Sequence, residues 1–289
     1  MENILEVKNL TKRFQDFSLN NISFSLPKGF ITGFIGPNGS GKTTTIKLIM
    51  NLLKKDSGDI NVFGLDHIRH EKEIKNRIGF VYDESHFYED VTVEQMKRFI
   101  ASAYNKWDEE KFRNFARKFS LPLNKRIKDL SRGMKVKLSL AIALSHNADL
   151  LIMDEPTSGL DPVVRSEILD ILHDVIQDEN KGVFFSTHIT SDLDRIADYI
   201  IMIYKGEIIF NKTKDELIEE HAIIKGSLSL LDTGTTNSLI GIKKNRYGFE
   251  AMANSRETID AFAKAGAVAE KPTLEDIMLY YTRKENGND

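Results

Sequence analysis

Gly36-Pro37-Asn38-Gly39-Ser40-Gly41-Lys42-Thr43 fits the pattern G-x-x-x-x-G-K-[ST], the spacing of a phosphate-binding loop. Chemistry explains the spacing. Glycines let the backbone curl until its N–H groups point inward at phosphate oxygens. A helix that follows adds its positive end to the same anion. Lys42 supplies a cation for the β- and γ-phosphates, and the Thr43 hydroxyl suits a hard cation such as Mg2+. The surroundings agree: an apolar run, Phe30–Ile35, precedes the loop and a helical pattern, Thr43–Leu53, follows it. A chance glycine-rich loop would not combine strand, lysine, threonine and helix in this order. Candidate nucleotide contacts are therefore Gly36, Asn38, Gly39, Ser40, Gly41, Lys42, Thr43 and Thr44.

Working outward, residues 4–35 alternate apolar and polar side chains, with turn signals at Asn20-Asn21 and Pro27-Lys28-Gly29, and predict short β-strands. Another β segment, Asp59–Phe63, follows Ser57-Gly58. Residues 85–148 read as mostly helical: Val93–Tyr104 and Glu109–Phe119 repeat apolar residues at three and four, and Met134–Leu144 is a further helix. Leu150–Met153 and Val183–Ser186 predict short buried strands. Asp161-Pro162 predicts a helix start, with a carboxylate cap and proline at the first position, running to about Gln177. Tyr199–Tyr204 and Glu207–Phe210 around Lys205-Gly206 predict a hairpin. Strands alternating with helices imply an α/β core with a largely parallel sheet. The texture changes near residue 212, so the expected division is a nucleotide-binding domain over 1–212, with a helical part over about 85–148, and a small mixed α/β appendix over 213–289.

A second site stands out at Leu150-Leu151-Ile152-Met153-Asp154-Glu155, an apolar strand ending in two acids. Acids at the end of a buried strand are unfavourable unless they meet a cation or a reacting group. Solvated acids at a strand-to-loop boundary are the plainer alternative, but a phosphate loop in the same chain favours chemistry. Asp154 would support Mg2+, and Glu155 would polarise an attacking water.

Composition narrows the classes. The 289 residues are 41% hydrophobic and 29% charged, enough for a packed core and against disorder. The absence of cysteine excludes disulfides, thiolate metal sites and a cysteine nucleophile, and suits a reducing cytoplasm. A net charge of −3 argues against a wholesale nucleic-acid binder. No signal-peptide pattern opens the chain, and no apolar run approaches the ~18 residues of a membrane-spanning helix. A soluble protein is expected, so any membrane crossing belongs to a separate subunit.

Further motifs sharpen the reading. Leu130-Ser131-Arg132-Gly133-Met134 is close to L-S-G-G-Q, Ser158-Gly159-Leu160-Asp161 follows Glu155, and His188 ends the run Ser186-Thr187-His188. Together with the phosphate loop and the two acids, in this order, they resemble the nucleotide-binding subunit of an ATP-binding-cassette (ABC) transporter over about residues 3–212. The resemblance implies ATP with Mg2+ and a P-loop NTPase core: a mixed sheet with a RecA-like parallel part, an antiparallel β subdomain and a helical subdomain. It implies that two subunits pair head to tail, as a homodimer or with a related ATPase. ATP on Gly39–Thr44 of one subunit is then covered by Ser131 and Gly133 of the other. By the same resemblance Phe14 stacks on adenine, with Phe17 as its competitor, and Asp161 belongs to the nucleotide site. Thr43, Asp83 and Asp154 hold the metal, while Glu155 and His188 are catalytic.

The implied partner is an integral-membrane transporter subunit, with the chain cytoplasmic and peripheral on the inner face of the membrane. Three positions depart from the family pattern: Asp83 stands for a glutamine, Arg132 for a glycine and Met134 for the signature glutamine. The aromatic stretch Ser85–Thr92 lies where the family receives a coupling helix. The basic run Lys125-Arg126-Ile127-Lys128, with Arg132, Lys135 and Lys137, reads as a solvated face rather than a nucleic-acid site, and the histidines show no metal-ligand spacing. The texture is most similar to ABC-2-type exporters of amphipathic or antimicrobial peptides, such as the phenol-soluble modulin exporters. An importer motor would more usually keep glutamine at position 83. A soluble ABC ATPase acting on nucleic acid or ribosomes would carry a long coiled coil in the interval 45–129 or a second cassette. A dead subunit would lack Glu155 or His188.

Overall fold

The apolar runs become strands buried on both faces. The computed structural model describes residues 2–82, 87–232 and 236–283. β1 (Asn3–Arg13) and β2 (Ser18–Pro27) pair antiparallel. Then come β3 (Ile31–Ile35), the phosphate loop, α1 (Lys42–Ile49), β4 (Ser57–Val62) and β5 (Leu65–Asp66). A helical stretch follows α2 (Glu71–Arg77) and β6 (Ile78–Val81): α3 (Val93–Ala101), α4 (Glu109–Lys118) and α5 (Arg132–Ser145). The core closes with β7 (Leu150–Asp154), α6 (Pro162–Ile176), β8 (Gly182–Thr187), α7 (Thr190–Ile196), β9 (Tyr199–Tyr204) and β10 (Glu207–Thr213).

The main sheet has six strands in the order β10-β9-β3-β8-β7-β6. Its internal pairs are parallel, and only the β9–β10 hairpin at one edge is antiparallel. Alternate residues of each strand enter opposite cores. Leu151, Met153, Val183, Phe185, Ile200 and Met202 face the helices, while Leu150, Ile152, Phe184, Ile201 and Ile203 face the smaller sheet β2-β1-β4-β5 and α1. Such strands show unbroken apolar runs because both faces are covered.

Helix starts follow local chemistry. Thr92 and Gln95 form a capping box on α3, Asp108 caps α4, Ser131 caps α5 and Asp161 caps α6 with Pro162 at its first position. The predicted helix over Thr43–Leu53 ends earlier, at Ile49, and Asn51 turns the chain with φ +52°. The sequence reading assigns no element to α2 or to α7. Each spans seven residues, too few for a helical repeat to show.

Beyond β10 lie α8 (Lys214–Glu220), β11 (Ala222–Gly226), β12 (Leu239–Asn245), β13 (Gly248–Ala253), α9 (Arg256–Lys264), β14 (Val268–Glu270) and α10 (Leu274–Arg283). Their strands make an antiparallel sheet, β12-β13-β11-β14. One face has its own core with Phe262 of α9. Ile223, Ile240 and Met252 on the other face join Leu274, Ile277 and Tyr280 of α10 in the main core, and the Tyr204 hydroxyl donates to Thr282 O at 3.2 Å. No described helix is long and apolar enough to cross a membrane.

Candidate functional site

The phosphate loop leaves the C-terminal end of β3, the strand flanked by β8 and β9. Ile35 there pairs with Thr187 and Met202. Gly41 caps α1 at φ +115°, where a Cβ would lie 2.6 Å from Leu19 Cδ2 and 3.0 Å from Phe17 Cζ, so glycine is required by both conformation and space. A Cβ on Gly39, at φ +78°, would meet nothing within 4 Å. The loop is therefore open on that side.

The opening is a cleft of about 730 Å³. The loop and helix start contribute Asn38, Gly39, Gly41, Lys42, Thr43 and Thr44; Glu155, Ser158 and His188 come from the ends of β7 and β8, and Asp16 and Phe17 from the β1–β2 turn. Lys42 is buried. Its Nζ donates to Gly36 O at 2.8 Å and Pro37 O at 3.4 Å, and lies 3.4 Å from Glu155 Oε1. The cation thus rests on carbonyls of its own loop, groups that a phosphate oxygen would outcompete for charge. The buried Ser40 hydroxyl has no partner among the described residues, and Thr43 is exposed. Open backbone, a hydroxyl without a described partner and a cation held by carbonyls and one carboxylate fit a polyphosphate.

Asp154 and Glu155 diverge. Parallel pairing sets Asp154 beside Ser186, whose hydroxyl donates to Asp154 Oδ1 at 2.6 Å in a buried setting. Glu155 adopts φ +49°, a conformation a non-glycine residue takes only when its surroundings impose it. Its N–H donates to Ser186 O at 3.0 Å, and the turn sends its carboxylate into the cleft. There Oε2 accepts from the His188 backbone N–H at 3.2 Å and lies 2.7 Å from His188 Nδ1. Both oxygens are thereby aimed: one at Lys42, one at His188.

Behind this wall lies a network that sequence reading missed. The Thr157 hydroxyl donates to Asp192 Oδ2 at 2.6 Å, and Arg165 Nε donates to Asp192 Oδ1. Thr157 follows Glu155 by two residues, and Asp192 lies in the first turn of α7, four residues after His188. Ser186 and Ser158 stand inside the stretches Ser186-Thr187-His188 and Ser158-Gly159-Leu160-Asp161, but nothing in the sequence gives them a role of their own.

Other predicted residues lie elsewhere. Ser131 is exposed and its hydroxyl accepts from Met134 N at 3.3 Å; a Cβ on Gly133 would meet Val164 Cγ1 at 3.2 Å. Asp161 Oδ1 accepts from the N–H groups of Val163 and Val164 at 3.1 and 3.0 Å. The starts of α5 and α6 thus adjoin, but Ser131, Gly133 and Asp161 do not line the cleft. Phe14 is 45% exposed, 6.3 Å from Phe17 ring to ring, and Phe17 rather than Phe14 lines the cleft. Asp83, with Ser85 and His86 of the aromatic stretch, lies outside the described residues.

The family described as ABC transporter matches residues 19–158. The bacitracin transport ATP-binding protein BcrA of Bacillus licheniformis is 32% identical over 212 residues, covering 72% of this chain and 69% of BcrA. The uncharacterized ABC transporter ATP-binding protein YhcH of Bacillus subtilis is 29% identical over 284 residues, 97% of this chain and 91% of YhcH, so that similarity extends through the C-terminal sheet. A solved structure described as an ATP binding subunit of an ABC transporter superposes with a TM-score of 0.68 at 27% identity, over 75% of this chain and 92% of that one.

Proposed function

The chain belongs to the family of ABC transporter ATP-binding proteins, which bind and hydrolyse ATP, and from that premise we propose that it is the motor subunit of an exporter. The observation that carries the reading is the convergence of Lys42, Glu155 and His188 on one open cleft, with Glu155 between the other two at 3.4 and 2.7 Å. In this reading the triphosphate lies along Gly39–Thr44 and draws the Lys42 ammonium from the carbonyls of Gly36 and Pro37. Glu155 accepts the proton of the attacking water, and His188 holds the carboxylate in line. Thr43 and Asp154 would hold Mg2+, which neutralises charge on the phosphates. Ser186 fixes the Asp154 carboxylate for that role.

One subunit leaves its cleft open on the side of Gly39, and its Ser131 and Gly133 stand apart from that cleft. Both facts favour a head-to-tail pair in which each subunit's α5 start covers the other's nucleotide, with Asp161 brought to the shared site. ATP then joins the subunits and hydrolysis releases them. Phe17, or Phe14 after a shift of the β1–β2 turn, supports the adenine.

The membrane partner is assigned to an apolar pocket of about 350 Å³ whose lining includes Leu52, Phe80, Tyr82, Phe87, Ile100 and Tyr104. Binding there would hold the chain at the inner face of the cell membrane. Export of an amphipathic or antimicrobial peptide is favoured by the texture of the sequence, and the bacitracin transport relative agrees with that direction.

Glu155→Gln tests the mechanism. Turnover should fall by about 10²–10⁴-fold while ATP still binds, and light scattering with saturating ATP should register a dimer. Hydrolysis at the parental rate would refute the role of Glu155. A monomer with ATP bound would refute the paired site.

A further inference from the structure

A second cleft, of about 600 Å³, lies between α2 and the α3–α4 connection, away from the nucleotide site. Its lining includes Arg69, Lys72, Arg77 and Lys106 against the single acid Glu73. Arg77 is committed: its Nε donates to Asp149 Oδ2 at 2.6 Å and its guanidinium lies 3.8 Å from the Phe63 ring centroid. Arg69, Lys72 and Lys106 are exposed and, among the described residues, have no ion pair. In the basic run at residues 125–137, Lys128, Lys135 and Lys137 pair with Asp90, Glu89 and Glu167, while Lys125 and Arg126 are exposed with no ion pair among the described residues. In a chain of net charge −3, this recess gathers three exposed cations that have no ion pair among the described residues.

The neighbourhood is apolar. A second recess of about 600 Å³ shares Lys72 and Asn76 with the first and adds Phe99, Ile100 and Tyr104. Phe99 is 63% and Tyr88 64% exposed, and their rings meet edge-on at 5.9 Å. Ile100 and Tyr104 also line the pocket assigned above to the membrane subunit. One surface therefore runs from that pocket, past exposed aromatic rings, to unpaired cations. Aromatic rings beside lysine and arginine are the composition that settles at a bilayer surface, where the rings sit among headgroups and the cations meet anionic lipid.

We propose that Arg69, Lys72 and Lys106 bind the phosphate headgroups of anionic phospholipids, with Phe99 and Tyr88 entering the interface beside them. This contact rests on the reading of the chain as a membrane-docked subunit. It would orient the motor against the bilayer while the neighbouring pocket holds the partner. Each cation near an anionic surface strengthens binding about fivefold, so the three together contribute about a hundredfold.

Flotation of the purified full chain with lipid vesicles tests this, without ATP or membrane subunit, so its failure is separate from failure of the Glu155→Gln experiment. The chain should float with phosphatidylcholine vesicles containing phosphatidylglycerol and not with phosphatidylcholine alone. Arg69→Gln/Lys72→Gln/Lys106→Gln should lower the partition about a hundredfold and leave basal ATP hydrolysis unchanged. Phe99→Ser should weaken binding while keeping the preference for anionic lipid. Lys243→Gln/Lys244→Gln/Arg246→Gln, which removes three exposed cations at the β12–β13 turn, should bind as the parent does. Equal binding to both vesicles, or equal loss in both triple variants, overturns the proposal. So does saturable binding of inorganic phosphate at the cleft with no vesicle binding, which would assign it to a soluble anion. Failure of the first triple variant to assemble with the membrane subunit, with vesicle binding intact, would assign the cleft to a protein.

Discussion

Arg165→Ala should lower the melting temperature by several degrees and slow ATP turnover with it. Asp192 is 1% exposed, and Thr157 and Arg165 are the partners of its carboxylate. Arg165 Nη2 also donates to Ser191 Oγ at 2.8 Å. Without the guanidinium, a buried carboxylate keeps one hydroxyl. Removing one partner of a fully buried pair costs about 3–5 kcal/mol. The Arg165 side chain is 27% exposed, so water replaces part of the loss and about 2 kcal/mol is expected. At about 2–4 °C per kcal/mol for a large domain, the melting temperature falls by about 4–8 °C. Turnover follows because the network ties the loop carrying Glu155 to the helix after His188. Scanning fluorimetry without nucleotide reads the first effect, and steady-state phosphate release reads the second. Asp192→Asn supplies the control: it removes the charge but can still accept from Thr157. The double variant should then be more stable than the two single losses predict. A melting temperature within about 1 °C of the parent for Arg165→Ala, against the expected 4–8 °C, or strict additivity in the double variant, would refute the reasoning.

Two further effects follow from buried geometry. His146 stacks on Tyr104 with ring centroids 3.8 Å apart, both ring nitrogens lack partners among the described residues, and burial pulls its pKa from 6.5 to about 4. The unfolded chain protonates first, so this contribution is complete above about pH 6.5 and is lost toward about pH 4, by about 3 kcal/mol at most. Urea unfolding of His146→Phe should show a shallower loss over that window, and an unchanged slope would exclude the histidine as its cause. Gly206, at φ +78°, donates to Ser40 O at 3.0 Å, and a Cβ there would lie 1.8 Å from Ser18 O. Gly206→Ala should destabilise by about 1–3 kcal/mol and weaken ATP binding through the displaced loop. A parental melting point with a parental ATP-induced shift would contradict this.

Local features of this protein were legible in one dimension. The phosphate loop, the cap at Asp161, and the paired acids after an apolar strand are encoded in spacings of a few residues. Their chemistry is readable because backbone geometry acts over the same short range. The doubly covered sheet was legible too, since strands buried on both faces must be continuously apolar. Short α2 and α7 were not, because seven residues make barely two turns, too few for an apolar repeat to stand out. The site itself depended on distant encounters. Lys42 meets Glu155 across 113 residues, and Asp154 meets Ser186 only through the register of β7 and β8. Arg165 and Asp192 look like ordinary surface charges until α6 and α7 pack together. Strand order and register arise from simultaneous packing of the whole chain, and no local spacing contains them. For the same reason the motifs named Ser131 and Gly133, while only the folded subunit revealed that they stand apart from its own cleft.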